Sequence, residues 1–263
     1  MLLKELINKS WYGATGYIAK EDDLNILEQY IVFNLPVLKE YHNIIVATNY
    51  DSQLQYPNTQ LWKKYFPECI ILDSEFNRGH NFGTADLDNI VFDYCKKNNI
   101  EWLCKSANDV IFKESVLNKK VGNADFYYLN GVGYGGMVPF DFNFEKIIEE
   151  AFYPQTNFYF INISKCDFLN DKKYLDETYK HIQTFSNYNG KVWEYIDGWS
   201  CENFLKKCVS RNKLIKEHLV PEEKYRILLQ VIKDNQIHDC SHKNILIEGI
   251  CHFPYSNQTV IEI

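Results

Sequence analysis

Ile44-Ile45-Val46-Ala47-Thr48 is an unbroken run that leaves no face for water. A strand buried on both faces belongs in a parallel sheet with helices packed on each side. The flanking segments fit that demand. Thr15-Gly16-Tyr17-Ile18-Ala19 is a short β-like run, followed by the charged turn Lys20 to Asp23. Leu24, Leu27, Tyr30, Ile31 and Leu35 then recur at helical spacing, which predicts an amphipathic helix over 23–34 that stops before Pro36. A further strand, Cys69 to Leu72, leads into a polar loop ending at Gly83, and a helix follows from about Thr84 to Lys97 with Leu87, Ile90, Val91 and Tyr94 on one face. Trp102 to Cys104 and Val110 to Phe112 are the next apolar runs. Strands alternating with helices predict an α/β chain built on a mainly parallel sheet.

Beyond Phe112 the pattern changes. Ala124 to Leu129 and Phe158 to Ile163 read as strands, and Phe140 to Ala151 as a turn with a helix. Tyr174 to Phe185, Cys201 to Val209 and Glu222 to Lys233 read as helices, and 245–248 as a late strand. With no internal repeat and no low-complexity linker, residues 1–263 are expected to form one domain, in two halves of roughly 10–112 and 113–263. A 46% hydrophobic chain can build a large core. Its net charge of -7 and pI near 5.5 argue against a phosphate-backbone partner, which needs a basic face. The eight cysteines form no C-x-x-C pair and sit mostly in apolar runs, so reduced, buried thiols are expected. Residues 1–10 are too polar for a signal peptide, and no apolar stretch is long enough for a membrane span. A soluble, cytoplasmic protein is expected.

The chemistry concentrates on Lys105-Ser106-Ala107-Asn108-Asp109, a polar step between the apolar runs at 102 and 110. Such a step puts polar side chains at the sheet edge beyond the strand ends, where α/β sheets bind ligands. Asn and Asp are also favoured turn residues, so a plain strand exit fits the local chemistry equally well. Arg78, a lone arginine in a loop, reads as a solvated surface charge. Glu202 reads as a helix first-turn acid and Asp197, before Gly198, as a turn residue. His238 and His242 have an H-x-x-x-H spacing without further zinc-like ligands. The Gly131 to Gly136 run lacks the Lys-Ser/Thr of a P-loop and reads as a loop.

Taken together, these motifs resemble the GT-A-fold, nucleotide-sugar-dependent glycosyltransferases over roughly residues 14–255. Trp102 to Phe112 is similar to their metal-motif strand, an apolar strand running into a D-x-D step and then Val or Ile. Asn77-Arg78-Gly79-His80-Asn81-Phe82-Gly83-Thr84 resembles the turn before their nucleotide-facing helix. Pro154 to Phe160 resembles the acceptor-side strand, and Asp197 to Leu205 the x-E-D helix start. The resemblance implies a GT-A-like, mainly parallel sheet flanked by helices, with a C-terminal acceptor-side region. It implies donor contacts from Ala19, Asn49, Arg78, Asn81, Asn108 and Asp109, and a base at Glu202 or Asp197. It also implies a divalent cation, manganese or magnesium, on Asp109 and His252. The chain departs from the pattern where Ala107 and Asn108 replace the earlier motif positions, and where Asn203 replaces the last acid of x-E-D. The expected reaction moves a sugar from a nucleotide-sugar donor to a carbohydrate or glycolipid acceptor, in surface polysaccharide or glycan assembly. Two other readings remain: a catalytically silent sugar-nucleotide-binding protein on the same fold, and a nucleotidyltransferase. The second would want a basic Gly-rich signature near the first strand, which Thr15 to Asp23 does not supply.

Overall fold

β1, Ser10–Thr15, is the strand from which the architecture spreads, because it pairs in parallel with β2 (Asn43–Asn49) on one side and β4 (Trp102–Ala107) on the other. The structure is a computed structural model, and it describes residues 1–16, 21–49, 58–74, 77–108, 110–130, 145, 152, 154–188, 192, 195–196, 200–234, 245–247, 249–252 and 261–262. β3 (Ile70–Ser74) continues the parallel set beyond β2. β7 (Pro154–Asn162) pairs antiparallel with β4 and with β6 (Phe126–Asn130), and β8 (Lys216–His218) closes the far side parallel to β6. The resulting seven-stranded order is β3-β2-β1-β4-β7-β6-β8, in which β7 alone runs against the rest. The chain is therefore α/β, with a mixed, mainly parallel sheet.

Period-2 alternation divides the core between the two faces of this sheet. Tyr12, Ile44, Val46, Trp102, Cys104, Phe158 and Phe160 pack on one face with α1 (Leu3–Lys9), α2 (Glu21–Leu38), α3 (Asn58–Tyr65) and α7 (Glu222–Asp234). Ile45, Leu103, Phe126, Tyr159 and Ile161 pack on the other, with α4 (His80–Lys97) and α6 (Cys201–Arg211). A smaller cluster joins α4 to α5 (Lys172–Ile182) through Phe82 and Leu175. The aromatics are core material here, since Tyr127, Tyr159, Phe126, Phe158 and Phe160 are all fully buried. Cys69, Cys95, Cys104, Cys166, Cys201 and Cys208 are free thiols, and all six are buried. Among the described residues, no helix is long and apolar enough to cross a membrane.

Several expected boundaries move. The first described strand lies at 10–15, ahead of the expected run at 15–19, whose residues 17–19 lie outside the described residues, and Gly13 is a packing requirement within it. A Cβ there would stand 3.0 Å from Leu103 Cδ1 and 3.1 Å from Val91 Cγ1. α2 runs through Pro36 to Leu38, where buried Val37 and Leu38 hold the last turn despite the lost hydrogen bond. β4 extends through Lys105 and Ser106, both buried. α1, α3 and β8 were not expected. Val110–Phe112 leaves the main sheet as β5 and joins a second sheet of order β11-β9-β10-β5, with β9 at Ile245–Ile247, β10 at Ile250–His252 and β11 at Ile261–Glu262. The expected helix over 140–151, the Gly131 to Gly136 run and the His238/His242 pair lie outside the described residues, apart from Glu145.

His218 on β8 is half-buried between Tyr128 and Tyr225, with ring centroids 5.3 Å and 4.9 Å away, and its Nε2 accepts from the Asn130 N–H at 3.0 Å. Burial depresses this imidazole from 6.5 to about 4. Between those values the unfolded chain binds the proton that the folded chain refuses, so stability is full above pH 6.5 and falls as pH drops toward 4. The loss should approach roughly 3 kcal/mol. Urea unfolding at pH 7 and pH 4.5 checks this: His218→Gln should lose less stability than wild type between the two.

Candidate functional site

The chain order reverses at β1. β1, β2 and β3 succeed one another outward, and the next strand, β4, returns to the opposite side of β1. The carboxyl ends of the strands at such a reversal are where open α/β sheets take ligands. Polar side chains line this edge. Ser74 on β3 is level with Asn49 on β2, Thr15 on β1 is level with Ala107 on β4, and Ser74, Asn49 and Thr15 are all buried. Asn108 follows immediately. Its carboxamide oxygen and nitrogen are both buried, and neither has a hydrogen-bond partner among the described residues. It lies against Gly16, where a Cβ would fall 1.9 Å from Asn108 Nδ2, so the absence of a side chain at 16 is what admits the carboxamide. A buried carboxamide with both ends unmet costs on the order of a few kcal/mol, and a ligand offering both a donor and an acceptor would relieve it.

On the β2 side, the approach to α4 is built from Asn77 to Gly83. Asn77 Oδ1 accepts from the Gly79 N–H at 2.8 Å, and Gly79 takes a φ of 87° that favours glycine. The carboxamides of Asn77 and Asn49 converge on Gly83, 3.0 Å and 3.5 Å from where its Cβ would be. The first turn of this 18-residue helix has no acidic residue and no side-chain cap, leaving its positive end at the sheet edge. Arg78 is engaged elsewhere. Its guanidinium forms a bidentate pair with Asp86, donates to Asp176 Oδ1 at 2.8 Å, and lies over the rings of Phe82 and Tyr179. These contacts fasten the loop to α4 and α5, so Arg78 acts on this edge by holding that loop.

On the other side of β4 stands Glu202, in the first turn of α6, whose cap Ser200 accepts from the Asn203 N–H at 3.1 Å. Glu202 Oε1 accepts from Thr156 Oγ1 at 3.1 Å. Two residues before Phe158, which registers with Ser106, Thr156 lies level with the Asn108 step. Glu202 and Asn108 thus flank the same edge. Behind Thr156 is a lysine in the core: Lys105 is 2% exposed, its ammonium donates to the Thr156 carbonyl, and Asp88 Oδ1 on α4 lies 3.4 Å from it. That ion pair is outside hydrogen-bond geometry, so Asp88 Oδ1 meets no hydrogen-bond donor among the described residues. Burial pushes the Asp88 carboxyl up, Lys105 pulls it back, and Glu202 adds to the rise.

The segment after Asn108 is held from both edges. Asn34, buried in α2, donates to the Val110 carbonyl and accepts from the Phe112 N–H, each at 2.7 Å. The opposite edge of β5 pairs antiparallel with β10, in a register that sets His252 across from Val110. The backbone of His252 is therefore adjacent to the position that follows Asp109. Asp109 itself, Ala19 and Asp197 lie outside the described residues, as do the side chains of Asn81 and His252. Among the described residues no three His, Cys, Asp or Glu side chains converge to hold an ion.

The structure brings Asn49, Asn108 and Glu202 to one edge and turns Arg78 away from it. Asp88 and Asn34 escaped the sequence reading, which took in Lys105 and Thr156 only as members of the polar step and the acceptor-side strand. The one signal for Lys105 was its charge within an otherwise apolar strand. Neither a protein-family model nor a curated protein matches this chain. The class supported at this point is an α/β protein whose mainly parallel sheet gathers polar side chains at its carboxyl edge.

Two substitutions examine this geometry. Asn34→Ala leaves a buried carbonyl and a buried N–H unmet and should cost about 2 to 4 kcal/mol in urea unfolding. Gly16→Ala should displace the Asn108 side chain, a movable neighbour, with a loss of only about 1 kcal/mol. A high-resolution structure of Gly16→Ala should then show Asn108 in a different rotamer.

Proposed function

We propose that this chain is a GT-A-type glycosyltransferase that moves a sugar from a nucleotide-sugar donor to a hydroxyl of a carbohydrate or glycolipid acceptor. The observation that carries the reading is the Asn108 carboxamide, buried at the end of β4 against Gly16 and without a hydrogen-bond partner among the described residues. A carboxamide can give and take a hydrogen bond at once, as the hydroxyls of a ribose or the edge of a base require. The uncapped start of α4 beside Asn49 is suited to the charge of a diphosphate. Glu202, in the first turn of α6 beside Thr156 of β7, is the group that takes the proton of the attacking acceptor hydroxyl, with Asp197 as the alternative by resemblance. A divalent cation would be held by Asp109 and His252 together with the carboxamide oxygen of Asn108. That oxygen is unmet, and the strand register brings the His252 backbone beside Val110. When bound, the cation neutralises charge on the leaving diphosphate. The order of the polar step, the Asn-rich loop and the helix-borne acid along an α/β frame supports the family. Surface polysaccharide or glycan assembly in the cytoplasm is the setting this analogy suggests.

The catalytically silent sugar-nucleotide-binding protein is the second reading, and one observation favours it. Ala107, level with Thr15 at the end of β4, offers no oxygen where the family places its first acid. The two readings separate in two measurements. A panel of nucleoside diphosphates, with and without manganese, should raise the melting temperature by about 5 to 10 °C at a hundredfold excess over Kd. No shift with any nucleotide would count against both. Slow donor hydrolysis that falls at least tenfold in Asp109→Ala and in Glu202→Gln supports the transferase, whereas binding without turnover supports the silent protein.

A further inference from the structure

We propose that the buried Lys105–Asp88 pair is a positioning device for Glu202, acting through Thr156. This inference rests on the base role given to Glu202 above. Lys105 stands mid-strand in β4, between Gly13 of β1 and Tyr159 of β7, with 2% of its surface exposed. Holding an ammonium and a carboxylate there is not what stability asks for, because a well-packed apolar pair of similar volume is often neutral or stabilising in such a place. The pair does, however, have an outlet toward the polar edge of the sheet. The Lys105 ammonium seizes the backbone carbonyl of Thr156, and the hydroxyl of the same residue donates to Glu202 Oε1 at 3.1 Å. One residue thus carries the core cation on its main chain and the candidate base on its side chain.

Asp88 completes the arrangement from α4. At 3.4 Å its carboxyl draws the ammonium by charge from α4 and disfavours a swing of Lys105 away from Thr156. Three elements, α4, β4 and β7, are pinned together at the point where α6 delivers Glu202 by its first turn. A base held in this way keeps one carboxylate oxygen tied to Thr156 and the other for an acceptor hydroxyl. The tie constrains its rotamer without blocking it.

The test compares Lys105→Met, Asp88→Leu and Asp88→Asn, the double variant Lys105→Met/Asp88→Leu, and Thr156→Val beside Thr156→Ser. Each Lys105→Met or Asp88→Leu single variant should lower the melting temperature, and the double should recover at least half of that loss. The 13C resonance of the Glu202 carboxyl, identified by its disappearance in Glu202→Gln, should move in the double variant and in Thr156→Val. It should stay in place in Thr156→Ser, and Asp88→Asn, which keeps size and shape, should move it by a smaller amount. Donor hydrolysis in the double variant should remain at least tenfold below wild type although its melting temperature has recovered. Recovery of stability with the Glu202 resonance at its wild-type position would overturn the proposal and leave the pair a packing feature. If the wild-type protein cleaves no donor, the transferase reading fails, and the resonance alone decides whether the pair positions Glu202.

Discussion

An ammonium in the interior of a sheet is the constraint to which much of this structure answers. β4 is the fourth of the seven strands in the main sheet and is covered on both faces, so Lys105 has no route to water. Left unmet, such a charge costs several kcal/mol. The structure meets it from two directions, with Asp88 reaching in from α4 and Thr156 turning its carbonyl from the antiparallel neighbour β7. Both partners come from elements that also build the polar carboxyl edge of the sheet: α4 starts at that edge, and β7 begins beside it. Satisfying the lysine therefore sets the distance between the start of α4 and the Thr156–Glu202 pair.

The second constraint is the reversal of strand order at β1. Parallel strands need crossovers, and here β2 and β3 are laid down on one side of β1 before the chain returns to place β4 on the other. The absence of a side chain at Gly16 leaves the space that the Asn108 carboxamide occupies. Asn34 supports the arrangement from below. By giving both ends of its carboxamide to β5, it behaves like one more residue of strand and stops the segment after Asn108 from sliding. The small sheet continues the brace on the opposite edge through β10. Among the described residues, polar groups near the carboxyl edge of the main sheet thus divide into those satisfied by the fold, such as Asn34 and Arg78, and those with an unmet atom, the Asn108 carboxamide and Asp88 Oδ1.

Some of this was legible beforehand. The continuous apolar run at 44–48 and the 3.6-residue spacing of Leu87, Ile90, Val91 and Tyr94 are local signals, and β2 and α4 lie where those signals put them. The polar step after Cys104 marked the sheet edge for the same reason. Arg78 shows where such reading stops. A lone arginine in a loop carries no mark of its partners, and Asp176, one of them, is nearly a hundred residues away. β1 was displaced because a glycine and a serine lower local strand propensity, whereas close packing of Leu103 and Val91 demands that glycine. Lys105 fell outside the expected strand because propensity counts its charge and cannot count a carboxylate delivered from α4.

What the sequence determined by itself is the α/β class, the position of most helices and buried strands, and the edge at which polar chemistry gathers. These follow from the periodicity of apolar residues, which acts over one or two turns or a few strand residues. Only the tertiary structure decided the strand order, the antiparallel insertion of β7, and the removal of Val110–Phe112 to a second sheet. It alone decided that Asn34 serves β5, that Arg78 clamps a loop, and that Lys105 reaches Glu202 through Thr156. Each of these depends on pairing or on charge compensation between residues far apart in the chain, and no local pattern of side chains encodes which distant partner will arrive.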